Sequence, residues 1–314
     1  MRILTVGLNP TLQRTLQVAS VLSNGVNRAT TTRLDVAGKA ANAARVLGQI
    51  GDDVVHLCHA GGRNRGRWLE LCADDGLNVV APEAPGDVRT CVTILDTEER
   101  TTTEFVGPAA AVDERTGVAV WDAFRELIDA QDAVLFAGSM APGFPEDLYL
   151  RMMRVAGEGG SRVAIDLHGG LLRLAVKGKP DLIKINVREF ASTFTPELKK
   201  EMAELESQGL SLLNLPAARV KVERSLRRLA EDGITVVLSQ GAQPTLVLDP
   251  EHETLTGIPA VPLDPVNTIG CGDTMTAGLM SHFFAGEDLP TAVEYSHTLA
   301  AINASLLKPG TIRE

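Results

Sequence analysis

Asp273 lies in the stretch Asn267-Thr268-Ile269-Gly270-Cys271-Gly272-Asp273-Thr274-Met275-Thr276-Ala277-Gly278, where residue types and spacing best fit a chemical task. Two glycines lead into a helical pattern of Met275, Leu279, Met280 and Phe283, so open backbone N–H groups are expected at the positive end of a helix. Such an end binds an anion. A carboxylate in its first turn has two readings: a partner of the helix dipole, or a general base beside a bound phosphoryl group. As a base it would take the proton of an attacking hydroxyl while the amides neutralise charge on the group in transit. Other nucleotide motifs are missing: Gly38-Lys39 is followed by Ala40 and has Arg33 five positions before Gly38, Gly61 to Gly66 lacks the dinucleotide spacing, and no H-R-D or D-F-G occurs. His56 and His59 form an isolated pair and the other histidines are scattered, which argues against a structural zinc.

The elements that must position this loop alternate in type. Short β-rich apolar runs fall at Ile3 to Val6, Val54 to Leu57, Asn78 to Val80, Ala133 to Phe136, Val163 to Ile165, Leu182 to Ile185 and Ile234 to Leu238. Between them, Asn42 to Ile50, Arg67 to Ala73, Asp113 to Ile128, Glu146 to Val155 and Val220 to Leu229 carry apolar residues at helical spacing. The alternation predicts an α/β fold with a mostly parallel sheet, whose ligands sit at the carboxyl ends of the strands. Leu16 to Val36 and Val88 to Val106 break the pattern with Thr- and Val-rich extended segments, including a hairpin turning at Asp96 to Glu99 with one face wet. They predict a small β subdomain over the ligand edge, as a lid or a dimer surface; the alternative is an antiparallel edge of the main sheet. The polar helical segment from Thr195 to Arg228 reads as an exposed face.

Composition bounds the partners. The 314 residues carry 30 Lys plus Arg against 40 Asp plus Glu, a net charge of −10, and only 4% aromatic residues. A phosphate-backbone binder needs the opposite charge balance and a single-strand binder needs stacking rings, so nucleic acid is excluded. No window is apolar for the length of a membrane span, and the amino terminus lacks a secretory core and cleavage site. Four dispersed cysteines without a C-x-x-C pair fit a reducing, cytoplasmic setting, where the sequon at Asn303-Ala304-Ser305 carries no sugar. An acidic protein acting on a small molecule is expected.

Gly270-Cys271-Gly272-Asp273 resembles the G-A-G-D signature of the ribokinase-like (PfkB) carbohydrate kinases, with Cys for Ala. Further segments follow in that family's order. Asn9-Pro10-Thr11-Leu12 is similar to the opening of the 1-phosphofructokinase and tagatose-6-phosphate kinase branch, and Ala37-Gly38-Lys39-Ala40-Ala41-Asn42-Ala43-Ala44-Arg45-Val46-Leu47 to its G-G-K-G-x-N-x-A-R-x-L. Arg89-Thr90 with Thr103-Glu104-Phe105, Gly138 to Pro145, and Lys184-Ile185-Asn186-Val187-Arg188-Glu189 complete a match spanning almost the whole chain.

The resemblance implies one ribokinase-like α/β/α sandwich over residues 1–314, with a β lid formed by about 11–36 and 87–107. It implies an ATP- and Mg²⁺-dependent kinase with Asp273 as base and an anion hole from Gly270 to Asp273. Asn186 and Glu189 match N-x-x-E, the carboxylate holding Mg²⁺ through water. Ser239 and Gly241 match the turn at the nucleotide phosphates, and the adenine falls near Val261 to Asn267 and Asn303. For the acceptor it implies Gly38, Lys39 and Asn42 at the sugar and Arg89 with Ser139 at its existing phosphate, with Arg28 a candidate for reaching a partner's site across a lid dimer. Gln13 stands where the branch has an Asp, and Ala37 and Ala40 where it often has glycines, which opens the identity of the sugar. The acceptor expected is a phosphorylated ketohexose such as fructose 1-phosphate or tagatose 6-phosphate. The alternatives are an unphosphorylated sugar or nucleoside, and a regulatory homologue without turnover.

Overall fold

A computed structural model describes residues 1–206, 211–248, 250 and 255–313. In chain order the first half comprises β1 (Arg2–Val6), β2 (Thr11–Val18), β3 (Thr31–Ala37), α1 (Lys39–Ile50), β4 (Asp53–Leu57), β5 (Ala60–Gly61), α2 (Arg65–Asp74), β6 (Val79–Val80), β7 (Glu83–Ala84), β8 (Arg89–Asp96), β9 (Thr101–Val106), α3 (Glu114–Ile128), β10 (Ala133–Ala137) and α4 (Leu148–Glu158). The second half comprises β11 (Arg162–Asp166), α5 (Gly169–Ala175), β12 (Leu182–Asn186), α6 (Val187–Phe194), α7 (Lys199–Glu206), α8 (Pro216–Glu231), β13 (Thr235–Gln240), β14 (Gln243–Leu248), β15 (Leu255–Ile258), α9 (Cys271–Phe284) and α10 (Leu289–Ala304).

Nine strands form the main sheet in the order β15-β14-β13-β12-β11-β10-β1-β4-β6. From β13 to β6 every pairing is parallel, as expected for apolar strands separated by helices. Strand β10, Ala-Val-Leu-Phe-Ala, is buried at every position, and its side chains divide between two cores. Val134 and Phe136 join Phe124, Tyr149 and Phe190 on one face, whereas Ala133, Leu135 and Ala137 pack with residues of α1, α9 and α10 on the other. The four alanines between Ala40 and Ala44 let α1 lie close to the sheet. Among the described residues no helix is long and apolar enough to cross a membrane.

The extended segments make a separate four-stranded sheet, β3-β2-β8-β9, rather than an edge of the main one. Several boundaries differ from expectation. Pairing begins at Thr11 and lapses between Val18 and Thr31, and β8 runs through Asp96, which moves the hairpin turn to Thr97–Arg100. All of β9 is exposed, on both faces, because no other element covers it. The main sheet does have an antiparallel edge, but β14 and β15 supply it, and periodicity did not mark those strands because they lie at the sheet margin. The polar segment 195–228 resolves into a 3-10 turn (Pro196–Leu198), α7, a second 3-10 turn (Leu212–Asn214) and the start of α8, with residues 207–210 outside those described.

Candidate active site

The carboxyl ends of the parallel strands meet the small sheet at a cavity of about 570 Å³. Its lining includes Asn9 beyond β1, Ser139 beyond β10, Glu189 on the first turn of α6, Lys39 and Asn42 on α1, and Asp273 on the first turn of α9. The small sheet contributes Gln13, Arg89, Cys91 and Glu104.

Gly270 makes the turn that aims α9 at this cavity. Its φ of +84° lies in the left-handed region, and a Cβ there would stand 2.3 Å from the Gly310 nitrogen, so both conformation and space require glycine. The Cys271 amide donates to the Thr268 carbonyl at 3.3 Å, whereas those of Gly270, Gly272 and Asp273 have no acceptor among the described residues. Lys184, a buried lysine within the apolar strand β12, holds the turn from below by donating to the Gly272 carbonyl at 2.9 Å.

The Asp273 carboxylate accepts a 2.7 Å hydrogen bond from Asn42 Nδ2. Burial pushes its pKa up to about 6, with the Asp166 carboxylate adding to the rise and Lys39, Asn42 and Lys184 opposing it. That value suits a proton acceptor near neutral pH. Asp166, at the end of β11, is treated differently. Burial works against its charge, but Lys39 Nζ at 2.7 Å, Lys184 Nζ at 3.6 Å and a bond from Thr276 Oγ1 at 2.8 Å hold its pKa below the usual carboxylate range. Burial likewise works against the Lys39 ammonium, yet Asp166, Glu189 and Asp273 outweigh it and raise its pKa.

Glu189 Oε1 accepts from Lys39 Nζ at 2.9 Å, and its Oε2 has no partner among the described residues. Among those residues no group of three or more metal-binding side chains converges. The donor set suits a cation that keeps much of its water and takes one carboxylate, as Mg²⁺ does, rather than one enclosed by protein.

On the acceptor side, Arg89 donates through Nε to Thr11 Oγ1 at 2.8 Å, Ser139 Oγ accepts from Asn9 Nδ2 at 2.8 Å, and Gln13 Nε2 donates to Thr93 Oγ1 at 2.7 Å. Gly38 caps α1 with φ +112°, a positive-φ conformation that favours glycine. Arg28 is exposed in the loop between β2 and β3, away from these groups. Behind the Asp273 turn a second cleft of about 690 Å³ is walled by Val261, Leu263, Met275, Ala300, Ala301 and Ala304, with Ser239 and Gly241 at one end and Cys271 and Gly272 at the other. Asn186 caps α6 by accepting from the Glu189 amide at 2.8 Å and lines an adjoining hollow with Ser239 and Gly241.

Asn267 is buried, donating to the Leu307 carbonyl and accepting from the Ile269 amide, and Asn303 is buried between Thr274 Oγ1 and the Lys308 carbonyl. Both side chains fasten the segment at 307–308, and neither is among the residues that line the apolar cleft. Conversely Asp166, Lys184 and Arg45 were not singled out from the sequence. The available signal was a charged residue inside or ending an apolar strand, at Lys184 and Asp166.

The pfkB family carbohydrate kinase model matches residues 9–313. The chain belongs to that family. A 1-phosphofructokinase of Rhodobacter capsulatus is 31% identical over 291 residues, covering 92% of this chain and 86% of its own. Among solved structures, a Thermotoga maritima protein described as a possible 1-phosphofructokinase superposes with a TM-score of 0.84 at 22% identity, covering 98% of this chain and 93% of its own. Phosphofructokinase-2 of Escherichia coli, solved with fructose-6-phosphate, gives 0.79 at 21% identity over 96% and 93%. The ribokinase-like fold and a carbohydrate kinase activity follow from the family.

Proposed function

We propose that this pfkB family member transfers the γ-phosphoryl group of ATP to a hydroxyl of a phosphorylated ketohexose of the fructose 1-phosphate or tagatose 6-phosphate type. One observation carries the reading: a carboxyl raised to about 6 sits on the same turn as free helix-terminal amides, in a cavity that also holds Arg89 and Ser139. The resemblance to 1-phosphofructokinases favours the phosphorylated acceptor over a free sugar or a nucleoside.

In this mechanism Arg89 and Ser139 grip the acceptor's phosphate, while Gln13, Gly38 and Asn42 orient its hydroxyls toward Asp273 Oδ. Asp273 accepts the hydroxyl proton as the oxygen attacks. The Gly270, Gly272 and Asp273 amides hold charge on the transferring group, and positioning plus charge stabilisation supply most of the rate. The apolar cleft takes the adenine, with Ser239, Gly241 and Asn186 beside the phosphate path. Mg²⁺, held through water by Glu189, would neutralise nucleotide phosphate charge. The enzyme is cytoplasmic and pairs with a second copy through the exposed β9, where Phe105 and Val106 are 58% and 60% exposed.

ADP release with ATP and Mg²⁺ over a panel of free and phosphorylated ketoses and nucleosides tests the proposal. Phosphorylated ketohexoses should turn over fastest, and a faster free sugar or nucleoside would refute the acceptor assignment.

A further inference from the structure

Arg45 is buried, its side chain 1% exposed, and does not itself line the cavity, but it bonds Asn42, which does. Every edge of its guanidinium is used. Nε and Nη2 bind Asp75 at 2.9 and 2.7 Å, Nη2 also donates to the Val36 carbonyl at 2.6 Å, and Nη1 donates to Asn42 Oδ1 at 3.2 Å and to the Pro309 and Gly310 carbonyls at 3.3 and 2.9 Å. A fork with five donors can join four segments at once; an ammonium cannot. Lys308 pairs with the same Asp75, so the segment 308–310 is tied down twice.

Three of these contacts converge on Asp273. Arg45 occupies Asn42 Oδ1, which leaves Asn42 Nδ2 pointing at Asp273 Oδ2, 2.7 Å away; the reversed amide would face a donor with a donor and a carboxylate with an oxygen. Gly310, clamped by Arg45, has φ +61° and lies so close that an added Cβ would meet Asn42 Cβ at 2.4 Å. Gly310 in turn lies against Gly270, the residue that turns the chain into α9.

We propose that Arg45 is a positioning residue for catalysis: it fixes Asn42 and the Pro309–Gly310 backbone, and through them the direction of the Asp273 carboxylate. The inference rests on the reading of Asp273 as base.

The test is steady-state kinetics of the full chain with ATP, Mg²⁺ and fructose 1-phosphate for Arg45→Lys, Arg45→Met and Gly310→Ala, beside Asn42→Ala and Asp273→Asn. Misaligning a base by a fraction of an ångström to 1 Å costs on the order of 10²-fold, so kcat should fall by about that factor in both Arg45 variants while the KM for ATP stays near the parental value. Losing a hydrogen bond to the charged carboxylate should move the acidic limb of kcat/KM upward by about one pH unit. The charged groups facing Asp273, namely Asp166, Lys39 and Lys184, are unchanged in these variants. Adding Asn42→Ala to Arg45→Met should cost little further.

A lower Tm with parental kcat and an unmoved pH profile would overturn the proposal, as would fully additive losses in the double variant. If Arg45→Met does not fold, Gly310→Ala decides, because it displaces Asn42 with the guanidinium intact; parental kcat there overturns the proposal. Near-parental turnover by Asp273→Asn would instead overturn the base reading, whatever the Arg45 variants do.

Discussion

Replacing Asp273 by Asn should make the protein more stable as it abolishes activity. Asp273 carries its charge in a place that disfavours it: burial and the Asp166 carboxylate hold its pKa at about 6 against an ordinary 3.8. The difference corresponds to about 3 kcal/mol of destabilisation once the group is ionised. The sign follows from linkage. Below the unfolded pKa the carboxyl is neutral in both states and costs nothing, and the stability is lost as pH rises through the folded pKa. Asn keeps the acceptor for Asn42 Nδ2 but never ionises. Asp273→Asn should therefore gain about 3 kcal/mol over the parent at pH 8, and only about 1 kcal/mol at pH 4.5. For a chain of this size that is roughly 5 °C or more in Tm at pH 8. Denaturant unfolding at the two pH values measures the gap, and parental kcat/KM should rise through about pH 6 and level off above it, with kcat of the variant lower by 10²-fold or more, roughly the contribution of a general base. A variant no more stable than the parent at pH 8, or a gap that does not shrink on acidification, would refute the account of Asp273.

Other substitutions separate the parts of the site. Arg89→Ala should raise KM for a phosphorylated acceptor about 10- to 100-fold, the value of a charge-assisted contact, and leave a free ketose unaffected; an unchanged preference for phosphorylated acceptors would remove Arg89 from its assigned place. Gly270→Ala should lose more than about 2 kcal/mol and most activity, since alanine is strained at positive φ and would strike the Gly310 backbone; circular-dichroism melts and a kcat assay read both effects. Phe105→Glu should convert a dimer to a monomer in sedimentation, because it puts charge on the exposed β9; an unchanged sedimentation coefficient would place any dimer elsewhere.

The legible parts of this molecule were those whose signals are local. Apolar strand runs alternating with helical periods gave the parallel sheet, and Gly270 to Asp273 gave the glycine turn into a helix, because both depend on neighbours in the chain. The sheet edge β14–β15 was missed because marginal strands are only half apolar. The resemblance places Asn267 and Asn303 near the nucleotide, while the bonds that orient their side chains, to the carbonyls of residues 307 and 308, are ones no local pattern reveals. The pairing of Lys39 with both Asp166 and Glu189 joins the start of α1 to two residues more than a hundred positions away, and only the topology brings them together.

That pairing sets apart the two carboxylates, Asp273 in the cavity lining and Asp166 behind it, and fits the proposal that Asp273 is the base. Asp166 takes the cations: Lys39, Lys184 and the Thr276 hydroxyl all converge on it, so it stays ionised through the neutral range and becomes a fixed negative charge. Asp273 receives only the neutral amide of Asn42, which sets direction without adding charge, and it faces the field of Asp166 besides. Two like groups are thus pushed apart in pKa by what each is bonded to, and the raised one is poised to accept a proton. The formal charge of −10 is no obstacle to anionic substrates in such a site, because charges beyond about 8 Å are screened at physiological salt. In the proposed mechanism what an incoming phosphate meets is local: α9-terminal amides without an acceptor among the described residues and Arg89, whose side chain among those residues is bonded to the Thr11 hydroxyl alone. In that mechanism Arg89 is therefore the better anchor for the acceptor's phosphate, since Lys39 is already shared by two carboxylates.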